Sequence, residues 1–203
     1  MAKRGRPRSF DRDEALRQAQ ELFWSRGYEG VTLADLQEAM GGITAPSFYA
    51  AFGSKEKLFR ETIELHRRCD GSAPAKALIG GATARESIEG MLRAAAEGFS
   101  QPGKPSGCML VIGAMNCTQA NRGIADYMRD ERMQRYPFIR QRLQRAVREG
   151  DLPKRVDLNA VVTFYVTVRD GLALQARDGV ARKALMSAVD AAMAAWDPIT
   201  QPR

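Results

Sequence analysis

Residues 11–59 read DRDEALRQAQELFWSRGYEGVTLADLQEAMGGITAPSFYAAFGSKEKLF, and their punctuation divides them into helices. Ala15, Leu16, Ala19, Leu22 and Phe23 recur at helical spacing as one apolar stripe. Asp11 opens that helix as an N-cap, with Glu14 three residues on, and Gly27 closes it. Thr32 caps a short second helix carrying Leu33, Leu36, Ala39 and Met40, and Gly41-Gly42 turns the chain after it. A third short helix runs from Thr44 or Ala45 to Phe52, with Pro46 tolerated in its first turn. Ser54 starts a fourth, whose Leu58, Phe59, Thr62 and Ile63 face inward.

Outward from this segment the helical period continues and alternating, strand-like runs are missing, so the expected fold is all-α with about nine helices. The small residues from Gly71 to Gly81 break the pattern and suggest a joint. Ile88, Met91, Leu92, Ala95 and Phe99 mark a fifth helix, closed by the Pro102 to Gly107 loop, and a sixth is expected from about Met109 to Cys117. The stretch from Arg122 to Glu149 is helical and basic, with Pro137 placed to kink or divide it. Around Arg140, Arg142, Arg145 and Arg148 it reads as solvated surface. The last two helices, about Asp157 to Asp178 and Ala181 to Trp196, are apolar on more than one face. Val161, Val168, Leu172, Leu185, Val189, Met193 and Trp196 therefore suggest a helix pair packed against a second copy, or else a hairpin completing the monomer core.

The chain has 203 residues, 44% of them hydrophobic, and a net charge of +7. No apolar run is long enough to span a bilayer and no signal peptide is evident, so a cytoplasmic protein is expected. Cys69, Cys108 and Cys117 suit free thiols better than a disulfide framework. The excess positive charge favours an acidic partner. Lys3, Arg4, Arg6 and Arg8 meet no acid in the first ten residues, which reads as a flexible basic arm or a solvated tail.

Ala15, Leu22 and Phe23, Gly27-Tyr28 with Val31-Thr32, Leu36 and Ala39, Ser47-Phe48-Tyr49, Phe52 and Ser54-Lys55-Glu56 together resemble the DNA-binding domain of the tetracycline-repressor (TetR) family. The resemblance implies a helix-turn-helix DNA-binding domain over residues 11–55 and a ligand-binding and dimerisation domain over 56–203. A homodimer would then bind a double-stranded palindromic operator and be released by a small-molecule effector. Such a motif sets the start of its second helix in the major groove. Here the small residues Thr44, Ala45, Pro46, Ser47 and Ala50 let the backbone approach base edges, while Tyr49 resembles the family's phosphate-contacting tyrosine. Thr32 at a helix N-terminus and Lys55 are further expected phosphate contacts, with the arm adding affinity. The Gly41-Gly42-Ile43 turn is one residue longer than the family's usual step, and Ala50-Ala51 stands where an aromatic or His is frequent.

Gly107-Cys108-Met109-Leu110, Asn116-Cys117 and Gln175 to Gly179 look like one branch of the family, which implies a ligand cavity among helices four to eight. Expected lining residues are His66, Met91, Phe99, Met109, Met115, Cys117, Phe164, Tyr165 and Arg169. Arg169, a charge among Val168, Leu172 and Tyr165, calls for an anionic partner: a ligand, Asp170, or a residue across a dimer. Two rival readings remain. A redox switch using Cys108 and Cys117 lacks any basic cluster near either cysteine in sequence. A helical enzyme lacks a starting point, since there is one histidine, no metal-ligand spacing, no phosphate loop and no nucleophile elbow; no cofactor or metal is implied.

Overall fold

A computed structural model describes residues 10–201. They form α1 (Arg12–Arg26), α2 (Leu33–Ala39), α3 (Ala45–Phe52), α4 (Lys55–Arg68), α5 (Ser72–Gly80), α6 (Ala84–Phe99), α7 (Met109–Ile112), α8 (Arg122–Met133), α9 (Arg135–Glu149), α10 (Leu158–Arg177), α11 (Arg182–Ala194) and α12 (Trp196–Thr200). A single 3-10 turn, Gln119–Asn121, precedes α8. The described residues contain no strand, so the all-α expectation holds, with short helices raising the count.

The first four helices start where the caps place them. Asp11, Thr32, Thr44 and Ser54 each accept a hydrogen bond from an amide two or three residues on, satisfying donors that the first turn leaves orphaned. Phe23, Leu36, Phe48 and Phe59 are fully buried where these helices meet. Burial of each contributes about 1.5–3 kcal/mol, enough to fix helices too short to persist alone. Phe59 packs edge-on against both Phe23 and Tyr28, each at 5.1 Å between ring centres.

Three sequence expectations need correction, while the division expected near Pro137 is found. Residues 72–80 form a helix rather than an open joint: Ala73, Ala75 and Ala77 are strong helix formers and Pro74 falls in the first turn. Residues 113–117 leave the helix after α7, where Gly113 ends it. The basic stretch divides at Gln134, three residues before Pro137, because the proline ring excludes a helical carbonyl at Met133. Arg142 is buried rather than solvated; Nε donates to Ser87 Oγ at 2.9 Å and Nη2 to the Gly81 carbonyl at 3.2 Å. It closes the turn between α5 and α6, which lie side by side.

The remaining helices surround α6 and α10, and one continuous apolar core runs from Ala15 on α1 to Trp196 on α12. Helix α4 packs along α1, from Glu61 against Arg12 to His66 against Trp24, and also touches α7. No helix among the described residues is long and apolar enough to cross a membrane.

Candidate functional site

Helix α3 presents one polar face and buries the other. Phe48 and Phe52 point into the core, while Thr44, Pro46, Tyr49 and Ala50 are exposed and Ala45 and Ser47 are half-buried at the margin. Tyr49 is 51% exposed, a large aromatic that the core does not use. The preceding turn has Gly41 and Gly42 at φ +78° and +76°, backbone that other residues adopt only with strain. Gly42 N–H donates to the Gln37 carbonyl and Gln37 Nε2 to the Ile43 carbonyl, both at 2.8 Å, so the longer turn is closed by hydrogen bonds.

The flanking positions are more engaged than the sequence indicates. Thr32 forms a capping box with Asp35, its N–H donating to the Asp35 carboxylate at 2.7 Å and its hydroxyl bonded to the same group. Those bonds to Thr32, with Arg26 beside them, hold the Asp35 carboxyl below its usual range. The start of α2 therefore already carries an anion of its own. Lys55 lays its ammonium over the Tyr28 ring, 4.2 Å from the centre. Partial burial there lowers its pKa, opposed by Glu29. Lys3, Arg4, Arg6 and Arg8 lie outside the described residues.

On the other side of α4 lies a cavity of about 500 Å³. Its apolar wall includes Leu78, Met91, Phe99, Phe138 and Ile139; its polar wall includes His66, Asp70, Glu131, Arg135, Arg169 and Cys108. Of the expected lining residues, His66, Met91, Phe99 and Arg169 are present. The others are placed elsewhere. Met109 is packed into the core, and Tyr165 is fully buried against Trp196, which pushes its phenol up to about 12. Met115 and Phe164 point outward, and Cys117 sits half-buried by Glu29 and Lys55, where burial pushes its thiol up. Sequence shows which of these are apolar, but not which of two apolar faces turns toward the cavity.

The polar wall draws on distant elements. Asp170 accepts from both Arg135 and Arg169, the latter at 3.3 Å, and Arg169 also lies over the Phe99 ring at 5.3 Å. Burial lowers the Arg135 pKa, and so does Arg169. His66 is 3% exposed, with Nδ1 3.7 Å from Asp70, Nε2 4.0 Å from Cys108 Sγ and its ring edge-on to Trp24. Burial would push the Cys108 thiol up, yet the His66 contact and the Arg169 and Arg135 charges outweigh it, leaving the thiol at about 6. The basic cluster that the sequence around Cys108 lacks is thus assembled by folding. Arg135 was missed because nothing in its neighbourhood distinguishes it from the other arginines of α9; Arg169 stood out for its apolar neighbours.

Direct bonds join the two regions. Tyr28 N–H donates to the Gly113 carbonyl at 2.8 Å, and Glu29 accepts from Thr118 N–H at 2.6 Å, its hydroxyl at 2.8 Å and Asn121 Nδ2 at 3.0 Å. Arg177 donates to the Ser25 carbonyl. Gln20 of α1 donates to Asp70 at 2.8 Å, beside the cavity.

Known proteins share this arrangement. Residues 15–62 match the family model for bacterial regulatory proteins of the tetR family. Over 176 residues the chain is 32% identical to the HTH-type transcriptional repressor BdcR of Escherichia coli K12, covering 86% of this chain and 83% of that protein. It is 29% identical over 199 residues to the repressor ComR of the same organism, covering 98% and 94%. A cysteine mutant of the TetR family transcriptional regulator CifR, solved with 26-bp double-strand operator DNA, is 42% identical with a TM-score of 0.91, covering 94% of this chain and all of that one. With the exposed α3 face, the shared helical frame and these relatives together, the chain belongs to the TetR family of DNA-binding transcriptional regulators.

Proposed function

We propose that this regulator is a repressor that binds a palindromic operator as a homodimer and leaves it when a small molecule occupies the cavity. The observation that carries this reading is the short path from cavity to DNA-reading unit: Cys108 and Leu110 line the cavity, and Gly113, just beyond α7, holds Tyr28 at the end of α1. A dimer must present its two α3 helices about 34–36 Å apart to meet successive major grooves, so a small shift passed through that bond misaligns both. Ligand favours the misaligned state and DNA the aligned one. The repressor names of BdcR and ComR support the sign of regulation.

In this reading residues 11–55 are the DNA-binding domain and 56–203 the sensing and dimerising one, with α4 running between them. Thr44, Ala45, Pro46, Ser47 and Ala50 approach the bases and Tyr49 a phosphate. Lys55 acts mainly by steadying Tyr28, and Thr32 offers phosphate little beyond what Asp35 already takes. The proposed dimer surface lies on the outward faces of α10 and α11, since the burial of the residues first expected there fits the alternative of a hairpin completing the monomer core. Val161, Leu172, Leu185, Val189, Met193 and Trp196 are buried in the monomer's own core, and only Val168 stays half-exposed. The outward faces carry Thr163, Phe164, Thr167, Gly171 and Leu174 on α10, and Ala184, Ala188 and Ala191 on α11. Phe164 and Leu174 are large apolar side chains left uncovered by the chain itself, 37% and 42% exposed, with small residues around them that allow close helix approach.

Footprinting on the DNA upstream of the protein's own gene and its neighbours tests the proposal. Protection of a palindrome at physiological salt is expected; no protected stretch overturns it.

A further inference from the structure

The cavity carries more cation than carboxylate. Arg135 and Arg169 both line it and share one carboxylate, that of Asp170, which Arg135 meets through Nη1. The other edge of the Arg135 guanidinium, Nε and Nη2, is buried without a hydrogen-bond partner among the described residues. Arg169 is 6% exposed, lies over the Phe99 ring and donates to Asp170 alone among the described residues. The acids that line the cavity are already engaged: Glu131 by Arg67 at 3.1 Å, and Asp70 by Gln20 and Lys104 at 2.8 and 2.5 Å. One buried guanidinium is therefore left without an anion, a costly arrangement. Burial raises the Cys108 thiol, yet the His66 contact and this same surplus of positive charge bring it down to about 6.

We propose that the cavity takes a small apolar carboxylate, held reversibly by the free edge of Arg135, and that this anion is the effector that releases the operator. The inference rests on the repressor reading and names the chemistry of the effector. Nε and Nη2 present two parallel N–H groups, a fork whose spacing matches the two oxygens of a carboxylate. One carboxylate brings one negative charge, which is what two guanidiniums sharing Asp170 lack. A phosphate monoester, at about −2, overshoots that surplus, and a neutral ligand leaves it standing. Leu78, Met91, Phe99, Phe138 and Ile139 take the hydrocarbon or aromatic body of such a ligand. Lys76, Ile79 and Gln101 line the cavity and are also exposed, so it opens beside them, and Lys76 gives the approach a positive charge. A ligand seated on Arg135 shares the wall with Cys108 and Leu110 at the start of α7, whose far end holds Tyr28 through Gly113.

The test is calorimetric titration of the full-length protein with benzoate, phenylacetate and hexanoate, each beside its primary amide, which keeps the shape and removes the charge. At least one carboxylate should bind with an affinity about tenfold or more above that of its own amide. Arg135→Gln should lose about tenfold of that affinity, and Arg135→Lys, which keeps the charge without the fork, should fall between. Circular dichroism checks the fold of both variants, and the comparison of carboxylate with amide on the unchanged protein decides the matter if either unfolds. At saturation the bound carboxylate should weaken binding to a footprinted operator about 5- to 150-fold. The proposal is overturned if none of the three carboxylates binds, if the amides bind as tightly, if folded Arg135→Gln keeps full affinity, or if operator binding ignores the bound carboxylate. Ligand-free protein that binds no operator overturns the repressor reading instead, and the calorimetry still decides the site.

Discussion

The amide of Tyr28 and the carbonyl of Gly113 meet at 2.8 Å, joining the end of the DNA-reading unit's first helix to the end of the short helix that begins beside the cavity. Gly27, just before Tyr28, also lies against Gly113; a Cβ there would sit 3.4 Å from the Gly113 oxygen, so the two backbones run in contact. Such a junction passes on displacement because it has no long side chain in which to lose it.

Gly107→Ala should destabilise the protein by about 2 kcal/mol or more. The added Cβ falls 2.7 Å from the Ala173 carbonyl, and φ at +84° is unfavourable for alanine. Urea unfolding followed by circular dichroism measures it; a change under half that value shows that α10 yields.

Arg142→Met should cost about 1–3 kcal/mol, although the two side chains have similar reach, because Ser87 Oγ and the Gly81 carbonyl lose their buried donor. The turn between α5 and α6 should lose amide protection in hydrogen exchange before the core does.

Tyr49→Phe should weaken operator binding by about 1 kcal/mol, the typical net worth of one hydrogen bond, and leave thermal stability unchanged because the exposed hydroxyl makes no hydrogen bond among the described residues. Titration by fluorescence anisotropy alongside a melt separates the two effects.

Leu174→Arg together with Phe164→Glu should give a folded monomer, since both side chains lie on the outer face of α10. Light scattering reads the mass and circular dichroism the fold. A dimer that survives both changes places the interface elsewhere.

Stability should also depend on pH through Cys108. Its folded pKa, about 6, is depressed below the ordinary thiol value of 9.0. The stabilisation this represents is fully present above pH 9 and is lost as pH falls toward 6, with each unit of separation worth about 1.4 kcal/mol. Relative to Cys108→Ser, the native protein should therefore gain stability between pH 6 and pH 9. Parallel curves for the two proteins refute the assignment.

What the sequence made readable was local. Asp11, Thr32, Thr44 and Ser54 announce helix starts because each cap acts on amides two or three residues away, and the Phe48 and Phe52 face of α3 follows from their spacing. The cavity was harder. Its polar wall depends on α4, α9, α10 and the Gly107 loop converging, and no periodicity in any one of them encodes the meeting of Cys108 with His66, Arg135 and Arg169. Helix α10 misled for a related reason: it is apolar nearly all round, so pattern alone does not separate Leu172, turned inward, from Leu174, turned out. The small-residue stretch at 72–80 reads as a break only if its bounding glycines are counted with it.

Asp70 ties three separate stretches of chain to one carboxylate: Gln20 from α1, Lys104 from the loop that leads to Cys108, and His66 from α4 at a longer reach. That loop is consequently not free to absorb a change at its end. Its strain is shared with the helix on which the DNA-reading unit is built, much as a guy-rope anchored at a single peg moves every line when one is pulled.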